Sequence, residues 1–251
     1  MRFYLGTNEP LWLQRTRKPL FLSRRRMKRV EKNLPRATCP WALDSGGFSE
    51  LLLFGHWQTN YKTYAAEVRL YIEEIGRLEW ASAQDWMCDP LIIRKTKLSV
   101  KKHQELTINN FIDLMSTDPT LPIVPVLQGF NNSDYWRHLK MYERRKIDLT
   151  RLPLVGLGGV YRKQRTDEID ALIRGLKDAG LRLHGFGFKK LGLARVADAL
   201  LSADSLAWSY QARLNKPLKR CQHQSCSSCI HYALRWRQDL LSKVRWYFPE
   251  L

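Results

Sequence analysis

The feature that most constrains what this chain can fold into is an alternation. Eight short apolar runs of four to seven residues recur along it, and most are separated by stretches whose apolar residues fall at helical spacing. The runs RFYLG (2–6), PLFLS (19–23), WALD (41–44), EWASAQ (79–84), PIVPVLQ (122–128), PLVGLG (153–158), RLHGFG (182–187) and SLAWS (205–209) are predicted strands. Helices are predicted over 61–76, 100–115, 133–146, 167–180 and 193–201. Ser133 precedes one of them; Thr166 and Glu168 open another, and Gly180 stops it. Strands that alternate with helices form a mostly parallel sheet, so the fold class is α/β. Eight of them make a (β/α)8 TIM barrel the first expectation and an open doubly wound sheet the second. With 251 residues, 44% of them apolar and nine of them tryptophan, the chain can fill one such domain. No repeat or low-complexity linker divides it, so 1–251 is read as a single barrel domain. The pattern changes only near residue 212, where a Cys/His-rich insert and a basic amphipathic helix make a small C-terminal zinc-binding subdomain over about 212–245.

In a barrel, function collects where strands end and loops begin. Several of these strands end in polar or glycine-rich signals: Asp44-Ser45-Gly46-Gly47, Gln84-Asp85, Gln128-Gly129, Gly156-Leu157-Gly158-Gly159 and His184-Gly185-Phe186-Gly187, with Asp204 beside the start of the last strand. A single one of these is good turn chemistry. Six at one rim point to a site.

Charge narrows the partner. Forty-two Lys and Arg against 24 Asp and Glu give a net charge of +18, with a pI near 9.9. A small-molecule enzyme rarely needs that excess, whereas a polyanion binder does, so nucleic acid is the first partner to consider. The segment 15–29 carries eight basic residues and no acid, and the last thirty or so residues form a second basic stretch. No run of eighteen apolar residues is present and MRFYLGTNEP has no signal-peptide character, so no membrane role and a cytoplasmic location are expected.

Of five cysteines, Cys39 and Cys88 are isolated and three cluster in CQHQSCSSC (221–229). An odd count argues against a disulfide framework. Cys-x-His-x2-Cys-x2-Cys offers three thiols and an imidazole, the soft tetrahedral set that structural zinc prefers. Cys221, His223, Cys226 and Cys229 are the expected ligands, with His231 competing for the fourth place.

The ordered set DSGGF, QDWMC, LQGF, VGLGG, HGFG and ADSLAWS, followed by the Cys-rich insert, resembles the tRNA-guanine transglycosylases, and more closely their short DpdA-like relatives that place 7-deazaguanine bases in DNA. The resemblance runs from about residue 40 to 235. It implies a TIM barrel that exchanges guanine for a base such as preQ0 through a covalent sugar–enzyme intermediate, in bacterial or phage-infected host cytoplasm, alongside partner proteins of a DNA-modification pathway. By resemblance, Asp204 matches the family's nucleophile and Asp44 its general acid/base. Two carboxylates with divided roles suit chemistry at a glycosidic carbon.

The base pocket follows from donors and acceptors. The N1–H and N2–H2 edge of guanine suits a carboxylate, with Asp85 the first candidate and Asp89 the fallback. Its O6 and N7 need N–H donors, which Gln128 with Gly129, and the backbone at Gly158 and Gly159, would supply. Ser45, Gly46 and Gly47 would let the ring or ribose come close. The sequence departs from the tRNA enzymes at Ser49, where they carry a glutamine, at VGLGGV, and at SLAWS, where Trp208 would serve as an apolar wall. These departures favour DNA as substrate; RNA exchange of the queuosine or archaeosine type and a non-catalytic nucleic-acid-binding barrel are the alternatives.

Overall fold

The computed structural model describes residues 1–160, 166–219 and 221–248. Its strands are β1 (Arg2–Thr7), β2 (Leu20–Ser23), β3 (Trp41–Asp44), β4 (Leu78–Ser82), β5 (Ile123–Val124), β6 (Val126–Leu127), β7 (Val155–Leu157), β8 (Leu183–Gly185) and β9 (Ser202–Ser205). All pairings are parallel, in the order β5-β4-β3-β2-β1-β9-β8-β7-β6. The two ends of this sheet are halves of one predicted strand, split at Pro125. The first half pairs with β4 and the second with β7, so the chain itself closes the ring. Proline has no N–H to give a ladder, but its carbonyl still accepts from Gly156 N–H at 2.8 Å. Nine segments thus make the eight strands of the expected barrel.

The helices are α1 (Arg24–Met27), α2 (Gly47–Phe54), α3 (Tyr61–Glu74), α4 (Pro90–Thr96), α5 (Val100–Thr117), α6 (Asn132–Arg144), α7 (Asp167–Asp178), α8 (Lys190–Val196), α9 (Ala207–Leu214) and α10 (Ile230–Tyr247). Side-chain caps start several: Asn60 accepts from Thr63 N–H, Ser99 from Lys102 N–H and Thr166 from Ile169 N–H. The helix expected after Ser133 begins one residue earlier, because Asp134 accepts from the N–H groups of Phe130 and Asn131 and fixes its first turn. The helix expected over 193–201 starts at Lys190, ends at Val196 and continues as a single 3-10 turn.

One predicted strand is corrected. SLAWS is mostly helix: the strand lies upstream at Ser202–Ser205 and α9 begins at Ala207. The apolar residues there belong to the helix, and Trp208 is buried, stacked 5.5 Å from Trp12 with its indole N–H on Gly6 O. It is part of the core under the rim, not a wall of an open pocket.

The barrel has two cores because strand side chains alternate between its faces. Outward residues such as Leu5, Leu20, Leu22, Trp41, Leu43 and Leu183 pack against the helices. Inward residues Tyr4, Phe21, Ala42, Trp80, Val124 and Leu154, with Phe186, plug the lumen. Two residues further along their strands, Phe21, Ala42 and Trp80 give way to Ser23, Asp44 and Ser82. The lumen therefore changes from an apolar plug to a polar layer at the C-terminal mouth.

Of the eight cations in 15–29, one is internal. Arg24 is 1% exposed and bonds Glu50 of α2 at 2.8 Å and both carboxylate oxygens of Glu67 of α3. It ties the loop after β3 to the helix that follows. Among the described residues, no helix is long and apolar enough to cross a membrane.

Candidate active site and metal centre

Asp44 ends β3 and faces Ser23 of β2 across the ladder. The Gly46 N–H and the Ser23 hydroxyl next to its carboxylate favour the charged form. Desolvation, then the charge of Asp85 and more weakly that of Asp204, push its pKa up to about 7. The chain turns away through Gly46 at φ +86°, a conformation glycine adopts freely. A Cβ at Gly46 would lie 3.3 Å from Arg25 Cγ, so the aliphatic stem of an exposed arginine rests on this turn.

Asp85 lies just beyond β4 and is buried. The Gln128 amide donates to its Oδ2 and the Ser45 hydroxyl to its Oδ1 at 3.4 Å. Burial raises its pKa to about 6, against the pull of those donors. Gln128 is itself gripped: its N–H donates to His138 Nδ1 at 2.9 Å, its carbonyl accepts from Gln104, and its Oε1 accepts from Cys88 N–H. Ser45 N–H donates to Ser82 Oγ at 2.9 Å, which holds the DSGG turn against β4.

The glycines are where side chains would collide. A Cβ at Gly47 would stand 3.2 Å from Asp85 Oδ1, and one at Gly129 would meet the Tyr135 ring at 2.8 Å. At Gly158 it would fall 2.1 Å from Gln128 Nε2. Gly158 therefore contributes space; its N–H is already bonded to Leu127 O at 3.0 Å, which leaves Gly159, at φ +78°, as the backbone donor of this pair. Tyr135 braces the turn by donating to Gly158 O at 2.8 Å.

Asp204 sits in β9, one residue before its end, and is 6% exposed. Its Oδ1 accepts from Gly187 N–H at 2.9 Å and lies 3.3 Å from His184 Nε2, while its backbone carbonyl accepts from Phe188 N–H. The HGFG segment thus clamps the side chain and main chain of one aspartate. His184 reads from sequence as a packed barrel histidine. It is fully buried among Trp80, Phe186 and Tyr4, yet both ring nitrogens are engaged, the other with Ser202 Oγ at 2.8 Å. Only the three-dimensional register, which sets His184 opposite Ser202, reveals this.

The fold brings Asp44, Ser45, Gly46, Gly47, Asp85, Gln128, Gly129, Gly158, Gly159 and Asp204 to the C-terminal mouth. Asp89 is removed from the set: it caps α4, accepting from Leu91 N–H at 2.8 Å. An apolar cavity of about 620 Å³ opens at the opposite end of the barrel, lined among others by Tyr4, Trp80, Ile123 and Leu154. The candidate site is placed at the other mouth, because the converging carboxylates and N–H donors are there.

In the C-terminal insert, one ligand atom from each of Cys221, His223, Cys226 and Cys229 lies within 4.8 Å of all the others. Cys221 and Cys229 sulfurs are 3.7 Å apart, close to the ~3.8 Å edge of a tetrahedron with metal–sulfur bonds of ~2.3 Å. His223 Nε2 is 3.1 Å from Cys226 Sγ, and His231 is outside the group. The cluster can hold a metal ion, packs on Ala212 of α9, and stands immediately before α10.

A family model described as DpdA, DeoxyPurine in DNA protein A, matches residues 1–250. No curated protein matches the chain.

Proposed function

The chain belongs to the DpdA (DeoxyPurine in DNA protein A) family, and from that premise we propose that it is a single-barrel transglycosylase that replaces guanine in DNA by a 7-deazaguanine of the preQ0 type. A nucleic-acid substrate follows from the family; the base, the chemistry and the residue roles are the proposal. The observation that carries it is the presence of Asp44 and Asp204 at one mouth in unlike surroundings. One is a desolvated carboxyl with pKa about 7, the other a carboxyl group clamped through one oxygen, its second oxygen without a partner among the described residues.

In this reading, Asp204 attacks C1′ of the target deoxyribose. The C1′–N9 bond breaks, its electron pair passes to N9 of guanine, and the departing base takes the proton held by Asp44. The incoming base brings an N9–H. Asp44, now ionised, takes that proton as N9 bonds to C1′ and the ester bond to Asp204 breaks. One base leaves, one enters, and both carboxyl groups return to their starting state. Asp85 accepts from the N1–H and N2–H2 edge, while Gln128 and Gly159 N–H face O6. The missing side chain at Gly158 leaves the Gln128 amide in place beside Asp85.

The target nucleotide must leave its stack, at a cost of a few kcal/mol in a duplex. Phosphate contacts from exposed cations offset this, and Arg25 stands beside Gly46 at the candidate site. The Cys3His set fits zinc, held by Cys221, His223, Cys226 and Cys229; the ion would stiffen the insert and take no part in base exchange.

The test is incorporation of labelled guanine or preQ0 into duplex DNA, single-stranded DNA and tRNA at low salt. Label in DNA, lost in Asp204→Asn together with the denaturation-resistant protein–DNA adduct, is the expected result. Asp44→Asn, which removes both the proton donor for the departing base and the acceptor for the incoming one, should slow adduct formation and block completed exchange. Label in tRNA alone would move the substrate to RNA, and undiminished turnover by Asp204→Asn would overturn the mechanism.

A further inference from the structure

Asp204 carries two oxygens, and the fold treats them differently. Oδ1 has two donors: Gly187 N–H at 2.9 Å and His184 Nε2 at 3.3 Å. Oδ2 has no protein hydrogen-bond partner among the described residues. His184 in turn has one further partner, Ser202 Oγ, on its other nitrogen at 2.8 Å. Ser202 and Asp204 are alternate residues of β9, so both project into the lumen, and His184 is the register partner of Ser202 on β8. The ring spans the two.

We infer that His184, oriented by Ser202, is a positioning residue that anchors Oδ1 of Asp204 and thereby selects Oδ2 as the atom that attacks C1′. The inference rests on the proposed reaction. A neutral imidazole has one N–H and one bare nitrogen. Only the Nε2–H tautomer satisfies both neighbours when Asp204 is ionised: Nε2–H donates to the carboxylate, and the Ser202 hydroxyl donates to Nδ1. Burial lowers the His184 pKa, which keeps the ring neutral in spite of the adjacent carboxylate. Trp80 at 4.5 Å and Phe186 at 4.7 Å between ring centroids hold the plane of the imidazole, so it cannot swing away when the sugar approaches. A carboxylate free to rotate would present either oxygen, or both at once, to C1′. Fixing Oδ1 leaves one lone-pair-bearing atom in the line of attack before substrate arrives.

The scheme also accounts for the second half of the reaction. When Oδ2 is esterified to the sugar, Oδ1 becomes the ester carbonyl oxygen. The same two N–H groups then support it as negative charge returns to the carboxylate on C1′–Oδ2 cleavage. Ser202 has no contact with the sugar in this scheme and acts only through the imidazole.

Three variants and one spectrum test it. His184→Phe keeps a planar ring in an aromatic box and removes both nitrogens. Single-turnover adduct formation and kcat should fall by about 10- to 100-fold with KM changed less than about threefold. His184→Gln, whose amide can donate from near the Nε2 position, should recover most of that loss. Ser202→Ala should lose less than His184→Phe and in the same parameter. Independently of activity, 15N–1H correlation spectra of the wild-type protein, with His184 assigned from the spectrum of His184→Gln, should show protonated Nε2 and bare Nδ1. A Nδ1–H tautomer would overturn the inference whether or not any variant folds. So would His184→Phe with wild-type kcat, or a loss confined to KM. If the wild-type protein forms no adduct with any nucleic acid, the proposed reaction fails instead, and the tautomer measurement still stands on its own.

Discussion

Asp44 and Asp85 are the same residue type at neighbouring strand ends, and their surroundings separate them. Asp44 is held up to about 7 by desolvation and by two other carboxylates, with only one backbone N–H and one hydroxyl to favour its charge. Asp85 reaches only about 6, because Gln128 and Ser45 donate to it. The proposed roles need opposite states: Asp44 protonated as the acid, and Asp85 ionised as acceptor for the base edge. Activity should rise with pH as Asp85 ionises near 6 and fall as Asp44 loses its proton near 7. A narrow bell in kcat/KM between these values is expected, measured as initial rates of base exchange from pH 5 to 9. Asp85→Asn should remove the acid limb and weaken base binding, and should move the basic limb to lower pH, because the Asp85 charge helps hold Asp44 up. At this scale the sequence was informative about which charged and side-chain-free positions gather at the C-terminal mouth, as in DSGGF, QDW and ADS. It was silent on His184, whose partner Ser202 lies eighteen residues away and is recognisable only from the strand register. It was misleading on Asp89, since a cap and a ligand are the same residue type until the helix is placed.

At the scale of elements, alternation and helical spacing carried the architecture, and failures came from short segments with ambiguous composition. Ser-Ala-Asp-Ser has little apolar signal, so β9 was hidden and the adjacent Leu-Ala-Trp run was mistaken for it. The eight residues of α2 are too few for periodicity to show, and their exposed Phe48, Leu52, Leu53 and Phe54 blur the pattern further. The Cys3His cluster was legible because its residues are close in sequence and few other uses explain Cys-x-His-x2-Cys-x2-Cys. Its placement adds a consequence. The insert joins α9 to α10, Ser209 of α9 donates to Ser227 O within it, and α10 supplies Ala233, Trp236, Leu240 and Val244 to the main core. A metal ion held by the cluster would therefore brace part of the barrel wall. Cys226→Ser should lower the bound metal from one zinc per chain, measured by elemental analysis, and reduce Tm by on the order of 10 °C. Exchange activity should fall in parallel with folded fraction. Full metal content with unchanged Tm in Cys226→Ser would remove this cysteine from the ligand set.

At the scale of the whole molecule, the net charge of +18 is read directly from composition, but its distribution is not. Arg24 sits inside the protein on Glu50 and Glu67 and is withdrawn from any surface role. Arg237 is partly buried and donates to Phe3 O, so it too serves the fold. The exposed cations open to a polyanion include Arg15, Arg17, Lys18, Arg25 and Arg29 in the first basic run, and Arg235, Lys243 and Arg245 on α10; Lys28 already pairs with Glu67. Each phosphate they neutralise releases condensed counterion, so log K should fall linearly with log salt at about −0.9 per contact. If five to seven of these groups engage a duplex, the slope is about −4.5 to −6 and affinity drops by roughly three orders of magnitude between 50 and 200 mM salt. Arg25 and Arg24 make the sharpest contrast within one helical turn. Arg25→Ala should make the slope shallower by about one unit and leave Tm within about 1 °C, because its side chain is exposed over Gly46. Arg24→Ala should take the guanidinium away from buried Glu50 and half-buried Glu67 and destabilise by about 3 kcal/mol, with the salt slope of the surviving folded protein unchanged. Fluorescence anisotropy of a labelled duplex across a salt series, run beside thermal melts, separates the two. An unchanged slope in Arg25→Ala would place the phosphate path elsewhere on the surface, away from the Gly46 turn.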